Sequence, residues 1–272
     1  MNPLPPAPAP PDSSRPVKPW RKALSTLALS AVALLKFGAK LKFFLVPFLK
    51  FLPVLLKSGG SMLLMIGVYA SQWGWKYAVG FVLLLLLHEC GHLLAAKRFG
   101  LSVGAPVFIP FMGAHIALRE APPNAWVESW VGIGGPLLGS ASALACHLLG
   151  HAFDSPLLVA LAWTGYWLNL FNLIPVSPLD GGRIATAITP WLWVPGCALL
   201  GWMLWRHPTH FLLWIIGICA LPRLLSLLRK RTPTESLFYA ITPSQRGVMA
   251  SLYFLLLAAL WFGMQSTHPR LP

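Results

Sequence analysis

Long apolar runs recur along most of the chain, at about 58–72, 77–96, 126–149, 156–175, 190–205, 211–228 and 247–264. Crossing a bilayer as a helix takes about 20 apolar residues. The first, fifth and sixth runs are short, so a count of five crossings is the floor and about six or seven is expected. One large buried core is the other reading of such runs, but their repetition along the chain disfavours it. The pattern therefore predicts an all-α polytopic membrane protein with about six or seven transmembrane helices.

One stretch breaks the pattern. Residues 101–124 place Gly104, Pro106, Pro110, Gly113, Pro122 and Pro123 around the sequence VFIPFMGAHIAL. Proline and glycine at that density prevent a straight span. Short runs of Val and Phe between them predict a membrane-associated β-hairpin or a re-entrant loop. Asn124 is then placed to cap the following helix, with Glu128 in its first turn.

The N-terminal part differs again. Residues 1–20 hold eight prolines and few large apolar side chains, the composition of a disordered tail with polyproline character. Residues 21–35 pair two positive charges with a short apolar run, as signal peptides do, but a tail precedes them and no A-x-A site follows. Residues 36–57 mix Lys with Phe and Leu around Pro47 and Pro53. With 21–35 they read as a basic amphipathic segment, 21–57, on the membrane surface. The organisation expected is tail 1–20, surface segment 21–57, transmembrane core 58–185 and further helices over 186–272.

Composition supports the membrane reading. The chain is 56% hydrophobic and 10% charged, against roughly 25% charged residues in an average soluble chain. Its formal net charge of +14 is carried by residues that flank the apolar runs. That placement fits anionic lipid headgroups better than nucleic acid. The four cysteines, Cys90, Cys146, Cys197 and Cys219, are far apart and form no CxxC pair, so each reads as a packed apolar residue.

Charge also orients the chain. If all seven runs cross and the N-terminus is cytosolic, eighteen Lys and Arg lie inside, and only Lys76, Arg206 and Arg270 lie outside. The reverse orientation would invert the positive-inside bias.

Ionisable residues inside a span are functional candidates by default. His88, Glu89 and His92 lie together in FVLLLLLHECGHLLAAKRFG, with HExxH spacing. Helix positions four apart share a face, about 6 Å apart along the axis, so two imidazoles can reach one metal ion. Glu89 sits about 100° around the helix from His88, placed to serve a water rather than the metal. Catalytic zinc sites have three protein ligands. The third candidate is Asp180, the one acidic residue in NLFNLIPVSPLDGGRI. An ordinary Asp-Gly turn is the alternative. In the predicted orientation His92 lies six residues, about 9 Å, before Arg98, and Asp180 ends a span running the same way. All three candidates thus share a depth near the cytosolic surface.

HECGH at 88–92, GIGGPLLG at 132–139 and FNLIPVSPLDGG at 171–182 resemble the motifs of the site-2 protease family of intramembrane zinc metalloproteases. The resemblance spans roughly residues 60–185. It implies cleavage of membrane-anchored protein substrates within or near the bilayer. It implies one zinc ion on His88, His92 and Asp180, and Glu89 as the base. It also implies a catalytic role for Asn172 in binding substrate or the oxyanion, although an amide there can equally bond across helices. It adds a substrate-facing reading for Gly134 and Gly135; the GxxxG spacing of Gly135 and Gly139 by itself indicates close helix packing. His115, in the irregular stretch, is a further ligand, a substrate contact or a plain loop histidine. His147 and His151 are also four apart, but they lie at the outer end of their span without an acidic partner, and read as accidental. Two non-enzymatic readings stand beside the protease: an inactive relative that binds membrane helices, and a transporter. Intact Glu89 and three ligands weigh against the first, and the absence of internal repeats against the second.

Overall fold

The computed structural model describes residues 59–267, all within one compact unit; the tail 1–20 and the basic segment 21–57 lie outside the described residues. The order is α1 (Gly60–Trp73), α2 (Trp75–Arg98), β1 (Val103–Ile109), β2 (Gly113–Leu118), α3 (Ala125–Ala152), α4 (Pro156–Asn172), α5 (Asp180–Ile188), a 3-10 turn (Pro190–Leu192), α6 (Trp193–Arg206), α7 (Phe211–Ser226), α8 (Pro233–Phe238) and α9 (Pro243–Ser266). Each of the seven apolar runs becomes a helix. Among the described residues, α2, α3 and α9 are long and apolar enough to cross a membrane, and α7 is a shorter apolar helix. Leu63, Leu94, Leu148, Leu255 and Phe262 point outward and exposed, an apolar surface of the kind that lipid covers. The protein is a mostly helical membrane protein with one small sheet.

The Pro- and Gly-rich stretch is an antiparallel hairpin. Val107 pairs with His115, Phe108 with Ala114 and Ile109 with Gly113, and the register is irregular between Val103 and Pro106. Proline cannot donate to a ladder, which is why Pro106 sits beside that irregularity. The turn needs left-handed backbone at Phe111 (φ 65°) and Gly113 (φ 96°). Phe108 buries against α1 and α2, and its backbone N–H donates to Ser61 Oγ at 3.3 Å. The N–H of Phe111 donates to the Tyr69 hydroxyl at 3.0 Å. After the hairpin, Asn124 caps α3 by accepting from Val127 N–H at 2.9 Å. Glu128, buried in the first turn, lies 3.6 Å from Arg223 on α7.

Helix α3 is the central element, in contact with α2, α4, α5 and α9. Glycines permit its closest approach to α2: a Cβ on Gly91 would collide with the carbonyl of Gly134, and one on Gly134 would meet the Gly91 carbonyl and Ala95. Without those atoms the two backbones can touch.

The turn after α4 needs the same freedom. A Cβ on Gly181 would strike the carbonyls of Leu173 and Ile174, and one on Gly182 would strike Val176 and Ser177. The sequence pattern reads as a loop here; in the structure a buried nine-residue helix, α5, begins at Asp180 itself. It crosses the 185/186 junction, so the core and the C-terminal helices share an element. The C-terminal helices brace this turn. Tyr253 on α9 donates to Leu173 O at 2.7 Å, Arg246 donates to Ile188 O at 2.6 Å, and Trp193 Nε1 donates to Gly182 O at 3.0 Å.

The Leu173 carbonyl is a buried acceptor served by Tyr253. Tyr253→Phe should therefore destabilise the protein by about 1–3 kcal/mol, the desolvation penalty of an acceptor left unpaired. Thermal unfolding in detergent reads this directly; an unchanged midpoint would show that the bond does not hold the turn.

Candidate metal centre

The α2 sequence brings His88 and His92 onto one helix face, with ring centroids 4.9 Å apart. Helix α5 delivers Asp180 to the same point. His88 Nε2 lies 3.1 Å from Asp180 Oδ2, His92 Nε2 lies 3.2 Å from Asp180 Oδ1, and the two Nε2 atoms are 3.2 Å apart. All three side chains are buried. Among the described residues they form the group whose ligand atoms converge within 4.8 Å.

Hydrogen bonding on the far side of each ring fixes what these atoms are. His92 Nδ1 lies 2.6 Å from the Val131 carbonyl, which can only accept. His92 Nδ1 therefore carries the proton. His88 Nδ1 lies 2.8 Å from Asn169 Oδ1, and the Asn169 amide donates to Gly165 O at 2.7 Å. Oδ1 thus also accepts, and His88 Nδ1 carries its proton. In neutral rings both Nε2 atoms are then bare lone pairs facing a carboxylate. Acceptors in mutual contact repel one another unless a cation lies between them. Two imidazole nitrogens and one carboxylate suit a borderline-soft divalent ion. The donor set fits a metal.

Glycines of α3 shape the pocket around the rings. A Cβ on Gly135 would occupy the place of the His92 imidazole, and one on Gly139 would strike the Asn169 amide. Gly132 lies against the backbone of Asp180 and the Arg183 side chain. Gly134 and Gly135 are thus positions of close contact between α3 and α2. Glu89 is buried beside His88 and makes no side-chain hydrogen bond among the described residues, so its carboxylate is available to take a proton.

The remaining sequence candidates lie elsewhere. Asn172 ends α4, partly buried, and forms no hydrogen bond to the cluster. His115 is on β2, opposite Val107; its side chain is not among those described. His147 and His151 lie on α3 with ring centroids 5.0 Å apart and planes tilted by 46°, and His147 Nδ1 is 3.2 Å from the Tyr166 hydroxyl, apart from the cluster. Sequence reasoning missed Asn169. Its signal was available: a carboxamide inside the apolar run WLNLFN must find a buried partner.

No family model matches the chain. A zinc metalloprotease of Methanocaldococcus jannaschii is 36% identical over 120 residues, covering 41% of this chain and 34% of that protein. A putative zinc metalloprotease, Rip3, of Mycobacterium tuberculosis is 33% identical over 140 residues, covering 47% of this chain and 35% of the relative. The chain thus spans about a third of the length of the curated relatives it matches. A solved site-2 protease from Methanocaldococcus jannaschii aligns with a TM-score of 0.41 at 21% identity, covering 78% of this chain and 88% of that chain. The matched part of this chain, which includes the HECGH, GIGGPLLG and LDGG motifs, is thus similar to proteins named zinc metalloproteases.

Proposed function

We propose that the protein is a zinc-dependent endopeptidase that cuts membrane-anchored proteins within or near the bilayer. The observation that carries this reading is the buried convergence of His88, His92 and Asp180 beside the unengaged Glu89. His88 and His92 bind zinc through Nε2 and Asp180 through its carboxylate, one ion per chain. Zinc at such a site supplies Lewis acidity, drawing the pKa of water towards 7 and polarising a peptide carbonyl. Glu89 accepts a proton from the attacking water as its oxygen bonds to the scissile carbonyl carbon. It returns that proton to the amide nitrogen as the C–N bond breaks, giving a carboxylate and an amine.

Asn172 contacts the substrate or the developing oxyanion. An unwound stretch of the substrate's membrane helix adds as a strand to the 103–118 hairpin, where His115 can meet it, with Gly134 and Gly135 near the substrate path. Residues 58–185 form the catalytic core and 186–272 contribute further helices. Six or seven helices cross the membrane, with the N-terminus in the cytosol, basic segments against anionic headgroups, and the centre near the cytosolic side. The bias of eighteen basic residues to three supports that orientation.

The purified protein should contain about one zinc per chain, the number a catalytic site of this kind holds. Asp180→Ala or His92→Ala should lower zinc content measured by mass spectrometry, whereas His147→Ala should not. A double variant at 92 and 180 with full zinc would sink the ligand assignment.

Topology follows from the shared depth of the ligands. Cysteines introduced near Arg98 and Arg183 should label from the cytosolic side, and one near His151 from the other. Labelling of the first two from opposite faces would contradict the orientation.

Glu89→Gln keeps the side chain's size and removes the base. It should keep its zinc and retain bound substrate, while proteolysis falls by at least ~10², the low end of general-base contributions. His88→Ala should lose metal and activity together. Cleavage at the wild-type rate by Glu89→Gln would remove the base from Glu89 and reopen a binding-only function.

A further inference from the structure

Asn169 is one of the few fully buried polar side chains in the structure, and it lies on a helix that carries no metal ligand. We propose that Asn169 is the positioning residue of the metal centre: by accepting from His88 Nδ1–H it fixes the tautomer and the ring orientation that present Nε2 to the metal. This rests on the zinc reading above.

An amide can offer His88 either its oxygen or its nitrogen, and the wrong choice would reverse the ring. The choice is made one helical turn away. The Gly165 carbonyl on the same helix accepts from Asn169 Nδ2 at 2.7 Å, and a carbonyl cannot donate. Turning the amide over would set two oxygens against each other there. Oδ1 is therefore committed to His88 Nδ1, at 2.8 Å. With Nδ1 protonated, the neutral ring keeps its lone pair on Nε2, the atom 3.1 Å from Asp180 and 3.2 Å from His92. Partners of this kind, bonded to the outer nitrogen of a metal-binding histidine, hold the ring and raise its basicity.

The neighbouring helix holds the amide in place. Gly139 of α3 lies flat against it, since a Cβ there would strike Oδ1, Nδ2 and Cγ of Asn169. The two glycines of the α3 GxxxG pair thus serve the two histidines differently. Gly135 makes room for the His92 ring directly, and Gly139 makes room for the amide that directs His88. His92 takes its orientation from a backbone carbonyl, Val131 O at 2.6 Å, so its ring is tied to α3 whatever side chain α3 carries. His88 takes its orientation from a side chain, and that makes Asn169 testable by substitution.

The test measures metal retention rather than proteolysis. Wild-type, Asn169→Ala, Asn169→Asp and Gly139→Ala proteins are loaded with zinc in detergent and titrated with a chelator. Parallel samples are loaded with cobalt for their ligand-field spectra, and stripped samples are melted. Asn169→Ala should bind zinc about 10–100-fold more weakly, the usual effect of losing such a partner, and its cobalt spectrum should change. Asn169→Asp keeps an acceptor towards Nδ1 and should restore affinity and spectrum towards wild type, even if its stripped form melts lower for want of the Gly165 bond. Gly139→Ala, which displaces the amide, should move in the direction of Asn169→Ala. A purely structural role for Asn169 would lower the melting point of both stripped variants and leave zinc affinity and the cobalt spectrum unmoved; that result overturns the proposal. So does equal weakening in Asn169→Ala and Asn169→Asp. Should Asn169→Ala fail to fold, Gly139→Ala decides by the same two readouts: weaker zinc and a changed spectrum support the positioning role, and unmoved values overturn it. If the wild-type protein takes up no zinc, the metal reading fails and this proposal fails with it. If it does, and Asn169→Ala binds zinc equally well, the positioning role alone fails.

Discussion

Two imidazoles and a carboxylate meet in the interior of this protein, and the surrounding structure is arranged to hold them there. Bringing His88 Nε2, His92 Nε2 and the Asp180 carboxylate within 3.1–3.2 Å of one another is unfavourable without a cation. The outer nitrogen of each ring is engaged on the far side. His92 Nδ1–H is held by the Val131 carbonyl and His88 Nδ1–H by Asn169. Burial sharpens the constraint, since an apolar interior supplies no water to take the place of a missing partner. Half of the buried polar side chains among the described residues, His88, Glu89, His92, Asn169 and Asp180, belong to this one region.

Bringing His88, His92 and Asp180 together from separate helices requires backbones closer than ordinary side chains allow. Helix α3 meets that requirement with glycine. Gly134 lets it touch α2, Gly135 makes space for the His92 ring, Gly139 for the Asn169 amide, and Gly132 for the backbone of Asp180. The GIGGPLLG segment is therefore the wall against which the elements carrying His88, His92 and Asp180 are set. Its contribution is steric and needs no side-chain chemistry. The Gly181–Gly182 pair does the same for α5, letting a chain that has just left α4 fold back tightly enough for Asp180 to reach the histidines.

The helices after residue 190 contribute no side chain to the His88–His92–Asp180 cluster, yet they hold the turn that presents Asp180. Tyr253 and Arg246 on α9 bond the carbonyls of Leu173 and Ile188, on either side of Asp180, and Trp193 bonds Gly182 O. Val176, inside the turn, packs with Leu200, Leu213 and Ile216 from α6 and α7. A short helix such as α5 has little stability of its own; its position comes from these contacts. The half-exposed Arg223, 3.6 Å from Glu128, adds little to stability but lies between α7 and the start of α3.

The sequence by itself determined whatever is encoded locally. The seven apolar runs became seven helices because period and polarity are properties of a continuous segment. HExxH placed His88 and His92 on one face because helix geometry is fixed by the backbone. The hairpin at 103–118 and the Asn124 cap were legible for the same reason, as proline, glycine and capping residues act on their own neighbours. Asp180 was found by need, a third ligand being required, and its distance from the histidines was set only by folding. Helix α5 escaped notice because its glycines read as a turn; packing against 173–177 and α9 makes them helical. Asn169 could be seen as an anomaly in an apolar run, but its partner is 81 positions away in sequence, and nothing local ties the two. Sequence specified which groups were present and which face each element offered. Tertiary structure decided which of them touch, because contact between α2, α3, α4 and α5 depends on how closely their backbones can approach.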